Sequence, residues 1–159
     1  MPLFNVGEFI NVAVKDEETG IAVYKALAQT TKDQELKSSY LRIMNQEEGH
    51  AARFRKMLEE VGAQKPFESF PGEYDAFLNA LLESRAFYEP SKAADMARKV
   101  KGDSQAVDLA LRMEKDTLLF YLELKQFIPK THQEYVSDII TEEEGHIRDL
   151  QEIRRRLLQ

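Results

Sequence analysis

The sequence predicts an all-α protein, a bundle of four long helices arranged as two αα-hairpins with a long crossover between them. Three observations carry this. Apolar residues recur at three- and four-residue spacing through four long segments, and no stretch alternates as a strand does. The chain also repeats itself, with EEGH at 47–50 and again at 143–146. In the first segment Ile10, Ala13, Val14, Ile21, Tyr24, Leu27 and Ala28 share one face. The second presents Tyr40, Ile43, Met44, Ala51, Phe54, Met57 and Leu58. The third gives Val107, Leu111, Leu118, Tyr121, Leu124 and Ile128, and the fourth Val136, Ile139, Ile140, Ile147, Leu150, Ile153 and Leu157. Short links within each pair and one long link between the pairs describe a single domain over 1–159, with a crossover at 63–102.

Local punctuation agrees. Asn5 with Glu8, and Thr131 with Glu134, have the spacing of capping boxes. Gly62 stands where a helix-ending glycine belongs, and Pro129 stops the third helix. The crossover holds two weaker helical stretches, 73–88 and 91–101.

Composition excludes several classes of function. A net charge of -6, without a Lys/Arg cluster interleaved with aromatics, argues against a nucleic-acid surface. The basic IRRRLL near the C-terminus suits a last helical turn, where cations oppose the helix dipole. The absence of cysteine rules out disulfides, zinc ribbons, iron–sulfur clusters and thiol nucleophiles in this chain. MPLFNVGEFI lacks the features of a signal peptide and no run reaches the length of a membrane span, so the expectation is a cytoplasmic protein with no membrane partner.

The repeat points to chemistry. EETGIAVYKAL (17–27) and EKDTLLFYLEL (114–124) align without a gap at a shift of 97, whereas the EEGH strings align at 96. The one-residue difference falls in the turn within a hairpin, and each half is the same hairpin around an approximate two-fold axis. Glu17 lies inside the first apolar stripe, and Glu114 holds the same place in the third. Glu47 with His50, and Glu143 with His146, lie along the stripes of the second and fourth. Four carboxylates and two imidazoles therefore converge on the interior. Burying one unpaired carboxylate costs several kcal/mol, and four together require counter-charge. Two divalent cations supply it. Each Glu-x-x-His offers an oxygen and a nitrogen from adjacent turns, and Glu17 and Glu114 stand ready to bridge or chelate.

Within TEEEGH the alignment selects Glu143 as the counterpart of Glu47. Glu48 and Glu144 are turned by about 100° toward the rim. Tyr24 and Tyr121, two turns beyond Glu17 and Glu114, are placed to donate hydrogen bonds to ligand carboxylates. Gly49 and Gly145, in the middle of helices, suggest a close helix approach or room beside the metals. His132 belongs to no motif and is expected on the surface.

E-x-x-G-x-x-x-Y followed by EEGH, then E-x-x-x-x-x-x-Y followed by EEGH, resembles the rubrerythrin-type branch of the ferritin-like superfamily across all four bundle helices. The resemblance implies a ferritin-like four-helix bundle around two iron ions; by its donor set, oxygen-rich with one imidazole per ion, the site also suits manganese and, less well, zinc. Its metal ligands would be Glu17, Glu47, His50, Glu114, Glu143 and His146. It also implies an oxidoreductase that reduces hydrogen peroxide or dioxygen, commonly as a homodimer. Full rubrerythrins carry a four-cysteine iron domain, so here electrons would come from a separate donor protein. Rubrerythrins also place an extra Glu one turn after the third-helix ligand, where this sequence has Thr117, which implies a more symmetric site. Non-catalytic iron binding and a di-manganese, catalase-like reaction are the competing expectations.

Overall fold

The computed structural model describes residues 6–61, 73–84 and 89–159. Among them are six α-helices and no strand: α1 (Val6–Thr30), α2 (Gln34–Val61), α3 (Glu73–Glu83), α4 (Pro90–Lys99), α5 (Asp103–Phe127) and α6 (Gln133–Leu157), with a 3-10 turn at Lys130–His132. The four long helices are the four periodic segments, and α3 and α4 are the two weaker stretches, shorter than expected. Asn5, Gly62 and positions 85–88 lie outside the described residues.

Each hairpin is closed by contacts between its own helices, α1 on α2 and α5 on α6. Contacts of α1 with α5, and of α2 with α6, join the hairpins. The crossover helix α4 lies along α1 through Ala93, Ala94 and Ala97, whose small side chains permit close approach. The repeat is visible in the turns. A shift of 97 carries the end of α1, Thr30, onto the end of α5, Phe127. A shift of 96 carries the start of α2, Gln34, onto Lys130, where the 3-10 turn begins. The missing residue falls between them.

The two turns are capped differently. Asp33 accepts hydrogen bonds through Oδ1 from the backbone N–H of Glu35 (2.9 Å) and Leu36 (3.1 Å), satisfying two of the unpaired donors that open α2. The capping box expected at Thr131 and Glu134 does not form. Pro129 leads into the 3-10 turn, so Thr131 lies inside that turn, its hydroxyl 2.9 Å from His132 Nδ1, and α6 starts two residues later without a side-chain cap. The same turn tucks His132 against α2. Its side chain is 16% exposed and Nε2 lies 2.8 Å from Glu60, so the histidine sits at the surface, as expected, but is paired there.

Among the described residues the apolar interior is in two pieces. One cluster includes Tyr24, Leu27, Leu36, Tyr40, Ile43, Val107, Leu111 and Leu150. The other includes Phe9, Ile10, Phe54, Phe120, Tyr121, Leu124, Phe127 and Ile139, with Phe9 and Phe127 stacked at a centroid distance of 4.6 Å. The repeat-related polar residues lie between the two.

Gly49 and Gly145 meet neither expectation. A Cβ at Gly49 would have no neighbour within 4 Å, and one at Gly145 would meet only Arg148 Nη2 at 3.7 Å. Packing requires glycine at neither place, while glycine within a helix costs up to about 1 kcal/mol relative to alanine. Gly49→Ala and Gly145→Ala should therefore each raise the free energy of unfolding by roughly 0.5–1 kcal/mol. Urea denaturation of the metal-free variants checks this, and a loss of stability at either position would reveal a close approach that the packing does not show.

Candidate metal centre

The helical register brings all six expected residues together. Glu17 (α1), Glu47 and His50 (α2), Glu114 (α5), Glu143 and His146 (α6) are each at most 2% exposed. They form two overlapping groups whose candidate ligand atoms lie within 4.8 Å of one another. One group is Glu17, Glu47, His50 and Glu143, the other Glu47, Glu114, Glu143 and His146. Glu47 and Glu143 belong to both, so the motif glutamates are the residues that would be shared between two ions. Glu17 and Glu114 each belong to one group and would serve as terminal ligands, which narrows the alternatives left by the sequence.

Without cations this layer is poorly satisfied. Glu17 Oε2, Glu47 Oε1, His50 Nδ1 and Glu143 Oε1 are buried with no hydrogen-bond partner. His50 Nδ1 and Glu143 Oε1 approach to 2.8 Å, but they are not aligned as a hydrogen bond. Each orphaned buried group costs about 1–3 kcal/mol. Burial, followed by the field of Glu143, raises the carboxyls of Glu17 and Glu114 well above the ordinary 4.5; Glu47 is raised in the same way, with Glu17 adding to it. Burial opposes ionisation of Glu143 as well, yet contacts with His146 and His50 hold its carboxyl down at about 2. Burial alone would lower the two imidazoles, but the surrounding carboxylates outweigh it and raise both. A layer that must take up protons to balance its charge, with its free lone pairs facing inward, fits a pair of divalent cations bound by oxygen and imidazole.

Two tyrosines brace the terminal carboxylates across the bundle. Tyr24 O–H donates to Glu114 Oε1, and Tyr121 O–H donates to Glu17 Oε1. Burial and the adjacent carboxylates push both phenols up, so they remain protonated donors. Each tyrosine is two turns from the glutamate of its own helix but serves the glutamate of the other half.

The imidazoles are braced from outside. His50 Nε2 lies 3.0 Å from Glu142 Oε2, and His146 Nε2 lies 3.2 Å from Gln46 Oε1. These acceptors take the Nε2 proton and turn Nδ1 inward, where His146 Nδ1 lies 2.9 Å from Glu143 Oε2; a bound cation would take the place of any proton on that nitrogen. The sequence alignment treats Glu142 and Gln46 only as neighbours of the motif, although they are each other's counterparts at the shift of 96. Gly20, the glycine of the first motif, gains a role that the sequence does not assign. A Cβ there would lie 2.8 Å from Glu47 Oε2, so the absent side chain makes space for that carboxylate. Thr117, its counterpart in the aligned repeat, is buried.

Comparison with known proteins places the fold. A family model described as Rubrerythrin matches residues 8–154. A solved structure from Thermotoga maritima, described as a ferritin-like diiron-carboxylate protein, superposes with a TM-score of 0.72 at 27% identity, covering 98% of this chain and 97% of that one. No curated protein sequence matches the chain. No helix among the described residues is long and apolar enough to cross a membrane.

Two predictions arise from the geometry. Gly20→Ala must displace the Glu47 carboxylate while improving helix propensity, so it should weaken divalent-metal affinity by about tenfold or more without lowering the melting temperature of the metal-free protein. Calorimetric titration beside thermal denaturation checks both halves.

The second concerns pH. Glu17, Glu47 and Glu114 have folded-state pKa values above the ordinary 4.5, so their contribution to stability is complete below 4.5 and is lost as pH rises through the raised values. His50 and His146, raised above 6.5, contribute fully below 6.5 and lose that contribution as pH rises. Glu143, held low, works in the opposite direction, but only in acid below 4.5. The metal-free protein should therefore melt higher at about pH 5.5 than at about pH 8, and the gap to the metal-loaded form should narrow. A melting temperature that falls on the same change would show that the layer is solvated.

Proposed function

We propose a function from one premise: the chain belongs to the rubrerythrin family. It is a di-iron carboxylate oxidoreductase that reduces hydrogen peroxide or dioxygen, taking its electrons from a separate donor protein. The observation carrying this reading is the pair of overlapping carboxylate–imidazole groups sealed in the bundle interior.

The six side chains divide the work. Glu17 and His50 would hold one ion, Glu114 and His146 the other, and Glu47 and Glu143 would span both. When bound, the iron pair supplies the two electrons and the coordination positions at which an O–O bond is cleaved. The residues around it do the rest. Tyr24 and Tyr121 fix the terminal carboxylates with their phenolic protons, and Glu142 and Gln46 hold the imidazoles with Nδ1 inward. The two apolar clusters exclude bulk water on either side. Exclusion of water strengthens the attraction between carboxylates and cations and limits side reactions of the oxidant.

The test begins with stoichiometry. Elemental analysis after anaerobic reconstitution should find two iron ions per chain, and Glu143→Ala, which removes a shared carboxylate, should abolish the dinuclear complement. Rapid mixing of the Fe(II) protein with peroxide, and separately with dioxygen, should show oxidation much faster than that of iron in buffer. Two bound ions oxidised no faster than free iron would shift the reading to iron handling. Manganese in protein purified from its own host would favour the catalase-like reaction.

A further inference from the structure

The two halves of the bundle treat their imidazoles differently. His50 Nε2 meets a carboxylate, Glu142, at 3.0 Å, and the other oxygen of that carboxylate accepts from Arg53 Nη2 at 2.9 Å. His146 Nε2 meets a neutral amide, Gln46, at 3.2 Å, whose oxygen also faces Arg42 Nη1 at 3.3 Å. Arg42 in turn pairs with Asp149 at 2.7 Å. Each path thus contains one arginine and one acid and is formally neutral. What differs is the order. On the His50 side the acid touches the imidazole; on the His146 side it stands beyond the amide and the arginine.

We propose that Glu142 and Gln46 make the two ion positions unequal, so that the position beside His50 and Glu17 takes a divalent cation first. A carboxylate accepting the Nε2 proton pushes electron density through the ring onto Nδ1, and it stabilises the positive charge that a bound cation places on the imidazole. A neutral amide does so less. Partners of this kind change metal affinity by about 10–100-fold. The inference rests on the dinuclear reading above and adds a loading order to it.

The bland alternative is that Glu142 serves only the seam between α2 and α6, pairing with Arg53 as Asp149 pairs with Arg42. In that case its replacement would lower stability and leave both metal affinities alike.

The probe is Zn(II), added to the metal-free protein and followed by calorimetry and by the ring ¹⁵N resonances of the two imidazoles, assigned through His50→Ala and His146→Ala. The first equivalent should shift the His50 ring, and the two stepwise constants should differ by about tenfold or more. Glu142→Gln should weaken the first constant until it comes level with the second, and Gln46→Glu should strengthen the second. Thermal denaturation of both metal-free variants shows whether each is folded, and Gln46→Glu keeps the test intact if Glu142→Gln is not. A first ion at His146, or constants that neither variant moves selectively, would overturn the proposal while leaving two ions per chain. Fewer than two ions in the wild-type protein would instead remove the dinuclear reading, and this inference with it.

Discussion

Four carboxylates held in one dry layer repel one another, and the rest of the structure answers that repulsion. The layer's glutamates are at most 2% exposed, and three of them are driven toward the protonated form when nothing but imidazole stands against them. An interior of this kind is a poor way to make a stable bundle, because apolar residues of similar volume would pack at less cost. It makes sense as a chelator whose counter-charge arrives from outside. The phenols of Tyr24 and Tyr121, the space left by Gly20 and the acceptors behind each imidazole all serve to fix the direction of lone pairs that would otherwise turn away from each other.

The exchange of partners between halves is the second organising feature. Tyr24 of the first half braces Glu114 of the second, Tyr121 braces Glu17, and each imidazole leans on the opposite motif helix. No single hairpin can therefore assemble its own half of the layer. The approximate two-fold relation of the sequence becomes a physical requirement that both hairpins dock before either set of ligands is held.

Much of this was legible in the sequence, for an identifiable reason. Helical period alone places Glu17, Glu47, His50, Glu114, Glu143 and His146 on inward faces, and the internal repeat selects Glu143 over its two acidic neighbours. What escaped depends on distances between helices, on which period is silent. Glu142 looks like a flanking residue until α2 is set beside α6, when its reach to His50 appears. Gly20 is an ordinary small residue until the Glu47 side chain is seen lying across it. The start of α6 failed for a local reason, since Pro129 commits the chain to a 3-10 turn before Thr131 can act as a cap. The pairing of His132 with Glu60, made when that turn folds the ring back toward α2, is equally silent in the sequence.

The division of the apolar interior into two clusters has a consequence for motion. Each cluster packs residues from both hairpins, so each end of the bundle is fastened independently of the polar layer. If ions fill the layer, their loss would loosen the waist while the ends stay closed, and the opening would be local. Backbone amides in the turns of α1, α2, α5 and α6 that carry the six side chains would then become the quickest interior amides to exchange with solvent, with protected stretches on both sides. The same local breathing would give an ion a route to side chains that are at most 2% exposed, since the layer that needs the charge is also the one that would open in its absence.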